Sequence, residues 1–205
     1  VGDIIFYSSM FRNLQARAKK ITVSLDTRLV PILSRAFPEV TFIANNTLIE
    51  EFKYDAQIPF GSLPIVLNMH PNMDKRSVPY LIDSVSLTSQ VNNFSSPKTP
   101  HRCGIAWKSN NRQLGACKSL SLSDLTPIFQ NQNYEFINLQ YGDTQEEINE
   151  LEKNYGFKLS SIDDIDLFEN IDGLLSIIKT CDVIVTTSNV TAHLAGALGK
   201  KTFLL

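Results

Sequence analysis

At 205 residues, 43% of them apolar, and with a formal charge of −2, the chain has the composition of an ordinary soluble globular protein with room for one large domain or two small ones. It has no basic block to suggest a nucleic-acid partner, no apolar run long enough for a transmembrane segment and no signal-peptide pattern, so a cytoplasmic location is expected. Cys103, Cys117 and Cys181 show no CxxC spacing and are expected to be reduced thiols, not a disulfide or zinc framework.

Both ends look cut, the first in a turn and the last in the strand-like Phe203-Leu204-Leu205, and a fragment of a longer protein is expected. Residues 3–18 carry Ile4, Phe11, Leu14 and Ala18 at roughly helical spacing. ITVSL (21–25) reads as a buried strand, RLVPILSRAF (28–37) as a short helix, and VTFIA (40–44) as a second strand. YDAQIPFGSLP has the Pro and Gly punctuation of a loop. The polar, proline-bearing segment at 93–101 is the linker candidate, between residues 1–92 and residues 102–205.

After that linker the alternation restarts. CGIAW (103–107) is a strand, and Ser121 to Asp124 form a capping box that opens a helix. YEFINLQ (134–140) is a strand followed by the helical TQEEINELEKNYG, then the helix IDGLLSIIKT (171–180), the strand DVIVT (182–186) and the helix VTAHLAGAL. Strands alternating with helices predict an α/β fold, two tandem βα units with a cleft between them.

The stretch TSNVTAHLAGALGKK (187–201) places a histidine among small residues at the carboxyl end of a strand, where such proteins keep ligands. Ser188 and Asn189 are good N-cap residues, Thr191 adds a hydroxyl in the first turn, and His193 falls about one turn in. The unpaired N–H groups of a helix start suit an anion. The competing reading is plain capping and close helix packing. Gln140 and Tyr141 sit at a strand end suited to contact with a nucleotide base, and Glu146 would reach a ribose hydroxyl if its helix faced the cleft rather than solvent. Trp107 reads as core, and His70 and His101 as loop residues. Asp164-Ile165-Asp166 matches a metal-diphosphate signature by spacing, but in the acidic run SIDDIDLFEN it reads as helix-start chemistry, so no metal site is assigned.

HLAGALGK preceded by CDVIVTTSN, together with VGDIIFYSS, RLVPILSRAFPEV, AQIPFGSLP, VPYL, GIAWKSN, KSLSL and FINLQYGD in order, resembles the ADP-heptose:lipopolysaccharide heptosyltransferase-like glycosyltransferases (glycosyltransferase family nine). The likeness is nearest to the branch found in tetratricopeptide-repeat proteins, which implies possible upstream repeats. It implies a GT-B architecture, two Rossmann-like domains facing a cleft: 1–92 on the acceptor side, and 102–205 binding the donor, truncated at its C-terminal end.

The implied activity is inverting, metal-independent transfer from a nucleoside-diphosphate sugar to a hydroxyl of a glycan, lipid or protein acceptor, with no cofactor. Asp3 takes the place of the family's proposed base, and Lys118, with Lys108 as a rival, that of a basic residue on the donor diphosphate. Ser188, Asn189, Val190, Thr191 and His193 form the phosphate-binding helix end, with Gln140 beside it. Ser188-Asn189 replaces the Asp-Thr of the heptosyltransferases, which loses the carboxylate used for heptose. The alternatives are a catalytically silent nucleotide-binding or scaffolding module of the same fold and a nucleotide-sugar epimerase.

Overall fold

In a computed structural model of the chain, the described residues are 1–47, 50, 53–69, 78–93, 101–111, 113–162 and 164–205. His70 and residues 94–100 of the predicted linker lie outside them. The first half contains α1 (Gly2–Ser8), α2 (Phe11–Gln15), β1 (Thr22–Leu25), α3 (Val30–Ala36), β2 (Thr41–Ala44), α4 (Leu63–Val66) and α5 (Val85–Asn93). The second contains β3 (His101–Ala106), α6 (Thr126–Phe129), β4 (Tyr134–Asn138), α7 (Gln145–Tyr155), α8 (Ile171–Thr180), β5 (Val183–Thr186), α9 (Val190–Ala197) and β6 (Lys201–Leu204).

Among the described residues all strand pairings are parallel. β1 pairs with β2, and the second sheet runs in the order β4-β3-β5-β6. Strand order reverses between β4-β3 and β5-β6, and crevices at such a reversal bind ligands in open α/β sheets. The chain has the α/β fold expected from its alternation of elements.

Local chemistry explains the element ends. Asn170 accepts a hydrogen bond from Gly173 N at 2.8 Å and so caps α8. α7 stops where Gly156 turns left-handed at φ 72 and its N–H bonds Glu152 O. Buried Ile, Val, Leu and Phe side chains cover both faces of β3 and β5, as in a sheet covered on both sides.

Three expectations need correction. Residues 3–18 are not one helix, because Ser8 and Ser9 hydroxyls donate to Ile5 O and Phe6 O and the chain breaks before α2. His101 is not a loop residue: it is the first residue of β3, in register with Tyr134. The capping box of Ser121 and Asp124 is present, but it opens a 3₁₀ turn (Leu122–Leu125) that leads into α6. α5, at 85–93, went unread because VSLTSQVNN has little apolar periodicity.

One apolar cluster runs from Ile5, Leu29 and Leu33 in the first half to Leu174, Ile178 and Leu194 in the second. Another, on the far face of the larger sheet, joins Trp107, Phe129, Phe136 and Ile148. α1 packs on α9 and α5 on α8, so the first half is seated against the second. Tyr80 N and Leu81 N both donate to Ala197 O, and the Tyr80 hydroxyl donates to Ile5 O at 2.6 Å. Burial pushes the Tyr80 phenol up to about 12.

Gly104 lies mid-β3, where an added Cβ would come within 2.3 Å of Leu139 Cδ1 and 2.9 Å of Ile184 Cδ1. Overpacking a filled core costs about 1–3 kcal/mol. Gly104→Val is therefore expected to lower the melting temperature by roughly 2–4 °C per kcal/mol, measured by calorimetry, and an unchanged midpoint would contradict this packing.

Candidate functional site

The C-terminal ends of β3, β4 and β5 are wired together by two buried amides. Gln140, 2% exposed, accepts from Trp107 N at 2.9 Å and from Lys108 N at 2.7 Å. Gln140 N in turn donates to Asn138 Oδ1. Asn189, 6% exposed, caps α9 by accepting from Thr191 N at 2.9 Å, while its Nδ2 donates to Lys108 O at 3.0 Å. Both residues were read from sequence as ligand contacts. The structure commits their amides to backbone groups, which makes the floor of the site rigid.

Asn189 ties that floor to the start of α9. First-turn N–H groups of an α-helix have no partner within it and carry partial positive charge. Ser188 is exposed beside them and Val190 half-buried. The fully buried Thr191 Oγ1 has no hydrogen-bond partner among the described residues.

Half-buried His193 lies one turn along α9, against the start of α1. A Cβ on Gly2 would lie 2.8 Å from His193 Cδ2 and 3.1 Å from Nε2, so only glycine lets the two helices approach this closely. Burial lowers the imidazole pKa below its ordinary value; the nearby Asp3 carboxylate raises it, while Lys118 pushes it down further. Asp3 and Lys118, far apart in sequence, thus both lie within electrostatic reach of His193. Asp3 is exposed in the first turn of α1 and does not cap it; the cap is Val1.

Lys118 ends a 3₁₀ turn (Ala116–Lys118) in the loop after β3. Ser119 Oγ accepts from Ser109 N and donates to Gly115 O, and Leu120 N donates to Trp107 O. Gly115 sits so close to this loop that an added Cβ would come within 2.4 Å of Ser109 O. The rival Lys108 is ion-paired with Glu147, which also accepts from the buried Trp107 Nε1 at 2.6 Å. Sequence reading missed Glu147, whose only signal was its place on the inner side of an otherwise acidic helix. Glu146 is exposed on α7.

Beside Gln140 an open cavity of about 640 Å³ is lined by Tyr141, Gly142, Thr144, Ile165 and Phe168 among others. The Tyr141 and Phe168 ring centroids lie 6.1 Å apart with the rings tilted by 49°. Asp166 accepts from Phe168 N and Glu169 N, and these bonds hold its carboxyl below the usual range. Asp164-Ile165-Asp166 therefore lies in a turn ahead of α8, and among the described residues no group of three or more His, Cys, Asp or Glu side chains could hold a metal. None of the described helices is long and apolar enough to cross a membrane.

This fold is that of the ADP-heptose heptosyltransferases. The chain superposes on E. coli ADP-heptose lipopolysaccharide heptosyltransferase II with a TM-score of 0.62 at 17% identity, covering 99% of this chain and 81% of that one. It also matches the dodecameric, iron-containing heptosyltransferase TibC of E. coli, solved with ADP-D-β-D-heptose, with a TM-score of 0.58 at 10% identity, covering all of this chain and 55% of that one.

No protein-family model matches the chain. Among curated proteins it is similar to Protein FlbA of Caulobacter vibrioides, 24% identical over 228 residues that take in the whole of this chain. The chain spans 37% of that relative's length.

Proposed function

We propose that the chain carries the donor-binding and catalytic framework of an inverting glycosyltransferase that uses a nucleoside-diphosphate sugar. The observation that carries this reading is the packing of the start of α1, which bears Asp3, against the His193 ring of α9, with Lys118 within electrostatic reach of the same imidazole. The diphosphate lies at the start of α9, held by first-turn N–H groups, by His193 and by the Lys118 ammonium. The nucleotide base occupies the cavity beside Gln140 and Tyr141. Residues 102–205 bind the donor and residues 1–92 present the acceptor, a hydroxyl of a glycan, lipid or protein.

In the reaction, Asp3 takes the proton of the acceptor hydroxyl as its oxygen attacks the anomeric carbon from the face opposite the diphosphate. The C–O bond to the diphosphate breaks, and the electron pair leaves with it. Positive groups already aimed at the phosphate oxygens stabilise that charge where it grows. Burial lowers the His193 pKa in the unliganded protein, and a bound diphosphate favours the imidazolium, whose ring N–H donates to a phosphate oxygen.

These groups supply the positive potential of a metal, so turnover is expected to withstand chelation. Loss of activity with EDTA, restored by magnesium or manganese, would bring Asp164 and Asp166 back into consideration.

The reading is tested by a thermal-shift screen against nucleoside diphosphates and their sugars. A ligand that binds only the native state at 100 times its Kd stabilises it by about 2.7 kcal/mol. No shift with any of them would sink the proposal, and binding without transfer by the full-length protein would assign a silent nucleotide-binding module.

A further inference from the structure

The cavity beside Gln140 is made by the second half, yet one of its walls is held from the first. β1 ends at Leu25, and Asp26 caps the following 3₁₀ turn (Thr27–Leu29) by accepting from Arg28 N. The same carboxylate grips the Arg28 side chain twice, Nε to Oδ1 at 3.0 Å and Nη2 to Oδ2 at 2.7 Å. The remaining edge of the guanidinium points across the molecule. Its Nη1 donates to Phe168 O at 2.9 Å, and its central carbon lies 4.9 Å from the centroid of the Phe168 ring.

Phe168 lines the cavity and lies beside Tyr141, whose hydroxyl accepts from Asn110 N. A few residues on, Arg35 of α3 forms a two-pronged pair with Asp172 in the first turn of α8. The segment between cavity and helix is thus fastened at both ends by arginines of the first half. Pairing with Asp26 raises the Arg28 pKa and lowers that of Asp26.

We propose that Arg28 is a positioning residue that, oriented by Asp26, clamps the Phe168 wall and thereby sets the affinity of the cavity for the nucleotide base. The proposal rests on the reading of this cavity as the base site. A guanidinium suits the task because its planar fork satisfies a carboxylate on one edge while stacking on a ring and bonding a carbonyl with another. It also couples the halves. Any separation of the first half from the second pulls Arg28 off Phe168, so a closed cleft and a formed base site go together.

The test compares wild type, Arg28→Gln, Arg28→Lys and Phe168→Leu. Hydrogen exchange over residues 164–170 is measured without ligand, and nucleoside-diphosphate affinity by calorimetry. Phe168 is 48% exposed, so its truncation removes the ring with little burden on folding.

Arg28→Gln is expected to speed exchange at 164–170 and weaken affinity about three- to tenfold, with Phe168→Leu weakening it to a similar degree. Arg28→Lys keeps the charge but not the fork, and it is expected not to rescue affinity. Unchanged exchange overturns the clamp, as does full rescue by lysine. Faster exchange with unchanged affinity overturns the positioning role. Failure of wild type to bind any nucleoside diphosphate is a different result: it overturns the proposed function, and this role with it.

Discussion

Asp3→Asn is expected to lower turnover by roughly 10²–10⁴-fold, the usual contribution of a positioned general base, while leaving donor affinity and fold nearly intact. The structure makes this substitution clean. Asp3 is exposed in the first turn of α1, and the N-cap position belongs to Val1, so no side-chain cap is lost. A carboxylate near a helix start gains about 0.3–1 kcal/mol from the helix dipole, which limits the stability cost.

Gly2 gives Asp3 its place. With no side chain at Gly2, α1 packs directly on the His193 ring, which brings the next residue to the start of α9 where the diphosphate is proposed to sit. Asp3 also helps keep a proton on His193, so Asp3→Asn is expected to shift the imidazole pKa further down, visible by NMR titration. Full activity in Asp3→Asn, measured on the full-length protein with its acceptor, would end the assignment of the base.

The alternation of elements was legible because each strand of the larger sheet is a short apolar run between turn residues. CGIAW, YEFINLQ, DVIVT and TFLL all form strands within a residue or two of where their pattern places them. The helices α7, α8 and α9 were equally plain, and Asn189, read as a cap, does open α9. Sequence reading failed where local hydrogen bonding competed with apolar spacing. The paired serines at 8 and 9 break a helix whose apolar periodicity continues through them.

The site was legible as a set of positions and not as a set of contacts. Asp3 and Lys118 both lie within electrostatic reach of His193, and no spacing argument joins residues so far apart. Gln140 and Asn189 were singled out as polar residues at strand ends. Their burial and their bonds to Trp107 N, Lys108 N and Lys108 O depend on the register of three strands, which sequence pattern does not supply. Glu147 and Arg28 were missed for the same reason, since each acquires its role from a partner dozens of residues away.

His193→Ala and Lys118→Ala are each expected to weaken nucleoside-diphosphate binding by about tenfold or more, since a hydrogen bond to a charged group contributes roughly 1.5–3 kcal/mol. The two variants separate by pH. Burial lowers the His193 pKa in the folded protein, so the unfolded chain takes up its proton first as pH falls. Stability contributed by this group is present above the unfolded value near 6.5 and is lost as pH drops through the folded value.

A bound diphosphate acts the other way, because its charge favours the imidazolium and raises that pKa. Binding should then draw in a proton, and affinity should rise on acidification even as the unliganded protein becomes less stable. Calorimetry in two buffers of different ionisation enthalpy measures that uptake directly. It is expected in wild type and in Lys118→Ala, where the imidazole is freed from the lysine's repulsion, and absent in His193→Gln, which separates it from titration of the phosphate itself. Unchanged affinity in both alanine variants would remove His193 and Lys118 from the diphosphate site, and equal proton uptake in His193→Gln would remove His193.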